Sequence, residues 1–157
     1  MSVNDMYAPQ LEKIFSIEVS VDPPVVVGQD EVHGRRQLIP ISGGIVTGKL
    51  TGKVLPGGVD SQIIRPDGFT ELVARYAIQL DDGCSVYIDN AGVRRVDPAV
   101  AAEVANGKIA DPKYVYFVTV PTFETYDSKY AWLEKSIFLC RGVRLPDKVL
   151  LNYYEVK

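Results

Sequence analysis

The chain has 157 residues, 46% apolar and 24% charged, with a formal net charge of -3; it is long enough for one substantial core and too balanced in composition for a disordered tail. Its 17 Lys and Arg against 20 Asp and Glu form no basic stripe, which sets nucleic acid aside as a partner. No run of about 18 apolar residues occurs and no basic segment leads into an apolar one at the N-terminus, so the expectation is a single domain over 1–157, cytoplasmic, with no membrane partner.

In chain order, residues 1–10, with Asn4, Asp5 and Pro9, predict a loose arm. From Leu11 the apolar residues Leu11, Phe15, Ile17 and Val19 fall on odd positions, the period-two pattern of a half-buried strand, and Pro23-Pro24 ends it. A second extended stretch is expected at about Gln37 to Ile41, after a basic turn Gly34-Arg35-Arg36. Between Ile45 and Leu55, Val46, Gly48, Leu50, Gly52 and Val54 share one face and Thr47, Lys49, Thr51 and Lys53 the other. Glycines inside a strand weaken it unless curvature or a close backbone approach requires them, as barrel corners do.

Pro56-Gly57-Gly58 and Pro66-Asp67-Gly68 carry turn chemistry on either side of an extended Asp60–Ile64. Glu71 to Leu80 alternates with Leu72, Ala74, Tyr76, Ile78 and Leu80 on one side, and Asp81-Asp82-Gly83 turns it onto a strand at Ser85–Asp89. Asp97-Pro98 followed by an alanine-rich run and Gly107 predicts a short helix near 98–106. Tyr114–Val120, Ser136–Val143 and Lys148–Val156 are aromatic and β-branched, as strands are. The fold class is therefore all-β: a closed or nearly closed antiparallel barrel of about eight to ten strands with one short helix. Cys84 and Cys140, the only cysteines, have neither disulfide nor zinc spacing and read as buried free thiols.

No glycine-rich phosphate loop joins a strand to a helix, the lone His33 sits in a charged loop, and no Gly-x-Ser-x-Gly elbow occurs, so no cofactor and no metal are expected. What remains is polar and aromatic residues set in strand-like runs. Asp60 and Gln62 share one face of a strand, where a carboxylate and an amide suit a small polar ligand; a solvated outer face is the equal alternative. Arg75 lies on the face opposite Tyr76: external in an ion pair, or internal as an anchor for a carboxylate or enolate. Glu124, between Phe123 and Thr125 in a loop-rich passage, is either a desolvated acid/base or a turn cap. Tyr130 and Trp132 either roof the barrel mouth or belong to the core, and Tyr87, Asn90 and Tyr116 complete the candidate ligand contacts.

Taken together, Arg35-Arg36 leading to Ile39-Pro40-Ile41-Ser42-Gly43-Gly44, Val54-Leu55-Pro56-Gly57-Gly58-Val59-Asp60-Ser61-Gln62, Arg65-Pro66-Asp67-Gly68, Ala74-Arg75-Tyr76, Asp82-Gly83, Phe123-Glu124-Thr125, Tyr130-Ala131-Trp132-Leu133 and Tyr154-Glu155-Val156 resemble the domain of unknown function 3237 family, also called uncharacterised protein family 0311. The resemblance spans about residues 11–156 and implies a compact β-barrel, often dimeric, with no settled activity. Ser61, where the family usually has an aromatic, and Val118, where an arginine is common, depart from it.

The leading expectation is a cofactor-independent enzyme acting on a small aromatic or polyketide-like molecule by proton transfer, an isomerase, cyclase or lyase. Glu124 or Asp60 would be acid or base, Arg75 and Gln62 would hold negative charge, and Tyr76, Tyr116 and Trp132 would shape the cavity. The rivals are a non-catalytic barrel that binds a small molecule and a structural protein that assembles as a homodimer.

Overall fold

All 157 residues are described by the structure, a computed structural model. Ten strands succeed one another: β1 (Leu11–Val21), β2 (Val25–Asp30), β3 (Gly34–Gly48), β4 (Gly52–Val54), β5 (Gly58–Ile64), β6 (Thr70–Leu80), β7 (Ser85–Val96), β8 (Val115–Thr125), β9 (Phe138–Arg144) and β10 (Lys148–Val156). Along β6 the alternation works as expected, with Leu72, Ala74, Tyr76, Ile78 and Leu80 buried and Glu71 and Arg75 outside.

All pairings are antiparallel, in the order β1-β10-β9-β8-β7-β6; β4 and β5 share the next position, and β3 returns to β1. The result is a closed eight-stranded barrel, which leaves its member strands no long free edge. β2 stands outside the ring, paired to the first half of β3.

Several elements differ from the sequence expectation, each for a tertiary reason. The two stretches expected at 37–41 and 45–55 are instead the single 15-residue β3 and the short β4. The first half of β3 is held by β2 and β5 and the second by β1 and β4, and these ladders carry the strand through Arg35-Arg36, read above as a turn. Where β1 meets β3, Gly44 takes φ +148° and a Cβ there would lie 2.2 Å from the Glu18 carbonyl oxygen, so glycine is what lets the ring close.

The N-terminal arm contains one helical turn, α1 (Val3–Met6), closed by reciprocal hydrogen bonds between Ser2 and Asp5. The helix expected near 98–106 shrinks to α2 (Ala101–Ala105), none of whose residues is buried. Asp97 accepts from the Ala99 N–H at 2.8 Å in the preceding turn instead of capping it. Without a buried face, propensity alone sustains little helix.

The interior is chemically divided along its axis. One end holds stacked Phe15 and Tyr153 (centroids 4.5 Å) and edge-on Phe123 and Phe138 (5.2 Å), and a 3-10 segment, Ser128–Glu134, closes it with the buried Leu133. Each such large side chain removed from water stabilises the fold by about 1.5–3 kcal/mol. Cys140 is buried in this half, whereas Cys84, expected to be buried, is partly exposed beside the β6–β7 turn. No helix is long and apolar enough to cross a membrane.

Candidate functional site

Toward the opposite end the inward positions turn polar. On β5 the alternation that puts Ile63 on the other face brings Asp60 and Gln62 into the barrel; Asp60 is in register with Ala74 of β6, and that residue with Asn90 of β7. Gln62 faces Gln37 of β3 across the ladder. The Gln37 side-chain amide donates to Gln62 Oε1 at 2.9 Å, and Gln62 Nε2 donates to Asp60 Oδ2 at 2.8 Å. Both glutamines are almost wholly buried, so this relay fixes the orientation of the carboxylate. The other oxygen, Asp60 Oδ1, is buried without a hydrogen-bond partner in the protein, as are Asn90 Oδ1 and Arg35 Nε.

Arg94 of β7 and Arg144 of β9 line the same pocket as Asp60 and Gln62, together with Ile39, Phe117, Val149 and the rim residues Asp22 and Pro146. Neither guanidinium forms an ion pair with Asp60 or with any other carboxylate. Arg94 rests over the Phe117 ring, 5.8 Å from its centroid. Phe117 occupies the space above Gly142, where an added Cβ would come within 2.7 Å of the ring. A glycine on β9 thus seats the aromatic ring that supports the arginine.

Burial raises the Asp60 carboxyl above its ordinary value of 3.8, against the Gln62 hydrogen bond and the attraction of Arg94 and Arg144. Burial, reinforced by repulsion from Arg144, draws Arg94 down to about 10, which leaves it charged at neutral pH. Arg144 is lowered mainly by burial; Asp60 opposes that and Arg35 adds to it. A poised carboxyl facing fixed positive charges in a low-dielectric pocket is suited to proton transfer with stabilisation of a developing anion.

The free volume of this pocket is about 30 Å3, room for roughly one or two water molecules. Any organic guest has to displace part of the rim. The connection 97–114 runs beside this rim: no α2 residue is buried, and Gly107 abuts Pro146 of the rim so closely that a Cβ would lie 2.5 Å from its ring. The 3-10 turn Pro112–Tyr114 at its end is fastened where Arg141 donates to the Pro112 and Val115 carbonyls at 3.3 and 2.7 Å.

Of the residues singled out from the sequence, Asp60 and Gln62 line the polar pocket, and Asn90 is buried on the inward face of β7. Tyr76 is also internal but belongs to the floor: its hydroxyl is 2.9 Å from that of Tyr153, which also accepts from Asn90 Nδ2 at 3.4 Å. Arg75 is outside, 63% exposed, and donates to Asp89 at 2.8 Å, which is the external ion-pair alternative. Glu124 is not in a loop: β8 runs on to Thr125, pairing with β7 alone past Thr119. Its neighbour Phe123 points inward, so Glu124 points out, in register with Tyr87 and accepting from the Tyr126 hydroxyl. Tyr116 is outside as well, under Arg95 (4.5 Å). Tyr130 and Trp132 lie on the closed apolar end, Tyr130 bonded to Asp82 and Trp132 covered by Lys49 at 4.4 Å. They do not roof the polar pocket.

Sequence reasoning missed Arg35, Gln37, Arg94, Phe117 and Arg144. The signal was the alternation itself. Continued past Asp89 along β7 it reaches Arg94 through Asn90 and Gly92, and continued past Val143 along β9 it reaches Arg144. No group of three or more His, Cys, Asp or Glu side chains is arranged to hold a metal ion.

A family model described as protein of unknown function (DUF3237) matches residues 9–156. A UPF0311 protein of Clostridium acetobutylicum is 51% identical over 157 residues, covering 99% of each chain. The crystal structure of a protein with unknown function from the same species superposes with a TM-score of 0.87 at 52% identity, covering 96% of this chain and 98% of that one. At 22% identity, over 95% of each chain, the fold is shared with a protein of Penicillium herquei described as an enzyme, TM-score 0.72.

Proposed function

Because the chain belongs to the DUF3237 family, whose description carries no activity, its chemistry has to be read from its own site, and we propose that it is a cofactor-independent enzyme that moves a proton on a small aromatic or polyketide-like molecule at the polar end of the barrel. Asp60 is the acid or base, oriented by Gln62 and Gln37, with its free Oδ1 as the reacting atom. Arg94 and Arg144 hold the negative charge that appears when a carbon-bound proton is withdrawn, the role expected above of Arg75. Enolate-type isomerisation, aldol-type cyclisation and β-elimination next to a carbonyl each begin with that step.

The observation that carries this reading is that Asp60, Arg94 and Arg144 line one interior pocket with no salt bridge among them. A purely structural ion cluster would be paired, since an isolated buried charge is costly. A fungal protein of the same fold is described as an enzyme, which is compatible with catalysis on this scaffold. The rival reading, a non-catalytic barrel for a hydrophobic guest, draws less support because aromatic side chains fill the apolar half.

The test is solvent-deuterium incorporation into a panel of small 1,3-diketones and acylphenols, followed by NMR with enzyme in catalytic amounts. The wild-type chain is expected to accelerate exchange for at least one member, and Asp60→Asn to lose about 100-fold or more of that rate. Arg75→Ala and Glu124→Gln should leave it unchanged. Exchange that survives in Asp60→Asn, or a wild-type chain that accelerates none of the panel, overturns the catalytic reading.

A further inference from the structure

We propose that the polar pocket takes an anion, a small organic carboxylate whose charged group lies between Arg94 and Arg144 and whose body rests on Ile39, Phe117 and Val149. This deepens the reading of the same site given above.

Charge is the first argument. Arg94 and Arg144 line the pocket, and Arg35 stands near enough to Arg144 to repel its charge; against them stand Asp60 inside and Asp22 at the rim. Asp60 offsets one of these positive charges at most, and Asp22 is exposed to solvent, where screening weakens it. The interior end is therefore positive even though the whole chain carries -3.

Partner geometry is the second. Guanidinium groups enclosed by protein are usually forked onto carboxylates, because their donors otherwise lose solvent hydrogen bonds without replacement. Arg94 and Arg144 form no hydrogen bond or ion pair with any protein carboxylate, whereas on the outside Arg65 pairs with Glu71 at 2.9 Å and Arg75 with Asp89 at 2.8 Å. Arg35 Nε is buried without an acceptor. Two guanidinium groups lining one small space are complementary to a carboxylate from outside the chain.

The walls supply the third argument. Ile39, Phe117, Val149 and Leu145 give the pocket an apolar flank beside the arginines. A bare inorganic anion would leave that surface unused, whereas a carboxylate on an aromatic or aliphatic body covers both.

Benzoate, its neutral isostere benzamide and inorganic phosphate serve as probes, titrated into the wild-type chain and observed by NMR line broadening and thermal shift at low and high salt. Benzoate is expected to bind at least 10-fold tighter than benzamide and phosphate, about 1.4 kcal/mol, and to weaken with salt. Arg94→Gln and Arg144→Gln should each cost 10-fold or more for benzoate and little for benzamide, while Asp60→Asn should bind benzoate as well as the wild type or better. Equal affinity for benzamide, or benzoate binding indifferent to both arginine replacements, overturns the inference; the isostere comparison needs no variant to fold. Phosphate binding as tightly as benzoate overturns its organic part. The two proposals fail separately: benzoate bound normally while Asp60→Asn keeps proton exchange defeats the catalytic reading alone, and exchange on neutral diketones without benzoate binding defeats this one alone.

Discussion

Replacing Asp60 by asparagine should stabilise the chain at neutral pH while removing its proposed chemistry. The Asp60 carboxyl titrates higher in the folded chain than its ordinary 3.8, because burial outweighs the Gln62 hydrogen bond and the arginine charges. Between those two values the folded state holds more protons than the unfolded one. Stability is therefore greatest below 3.8, falls as pH rises through the folded value, and stays lower above it. The amide of the Asp60→Asn variant has no proton to lose in this range, and its oxygen still accepts from Gln62 Nε2, so the variant skips that fall. Each unit by which burial raises a carboxyl is worth about 1.4 kcal/mol, less where the pocket opens to solvent, and about 1 kcal/mol moves the melting temperature of a chain of this length by about 2–4 °C. The variant should therefore melt higher than wild type at pH 7.5 and indistinguishably from it at pH 3. Urea denaturation or thermal melts at both pH values measure it. A variant that melts lower at pH 7.5 would mean that ionised Asp60 is net stabilised by Arg94 and Arg144, and the poised-carboxyl argument would collapse.

Two further outcomes follow from the buried groups beneath the pocket. Tyr153→Phe leaves the Tyr76 hydroxyl and the Asn90 amide without their 2.9 and 3.4 Å partner, so it should cost about 1–3 kcal/mol, whereas Tyr76→Phe/Tyr153→Phe should cost clearly less than the sum of the two single changes; additive costs in a double-mutant cycle by urea denaturation would show that the hydroxyls are independent. Burial pushes the Cys140 thiol up to about 11; Cys84 is also raised, by burial and by Asp82 and Asp127, but is partly exposed, so prolonged iodoacetamide treatment at pH 8 should add one label, at Cys84, by mass spectrometry; a label on Cys140 in the folded chain would show that the apolar half opens to solvent.

The fold was legible because period-two alternation is a local signal that the closed barrel obeys. Leu72 through Leu80 read correctly from sequence since β6 is paired on both sides along its length. Lengths were less legible, because a strand continues as far as its partners do: β7 runs to Val96 and β8 to Thr125 against each other, and nothing local in Ala91-Gly92-Val93 announces that. The site suffered from the same cause. Asp60, Gln62 and Asn90 lay inside strands already recognised or at their margins, whereas Arg94 and Arg144 lay past expected ends, and charged residues past a strand end look like solvated loop. Glu124 misled in the opposite direction: placed in a loop it could point anywhere, but in β8 the inward Phe123 fixes it outside.

The way the inward positions are filled also argues that the polar end is built for a guest. Closure fills most inward positions with side chains, and at the apolar end β6, β7 and β10 supply Ile78, Val86, Ile88 and Tyr153, all fully buried. The same strands and their neighbours supply Gln62, Arg94 and Arg144 at the other end. Apolar residues of similar volume there would bury area without desolvating charge, and replacements of that kind are commonly neutral or stabilising. A barrel needed only as a scaffold gains nothing from keeping unpaired guanidinium groups inside. Because the apolar end supplies the cohesion, the charged end can hold them without a salt bridge, and an anionic guest is the partner that would complement them.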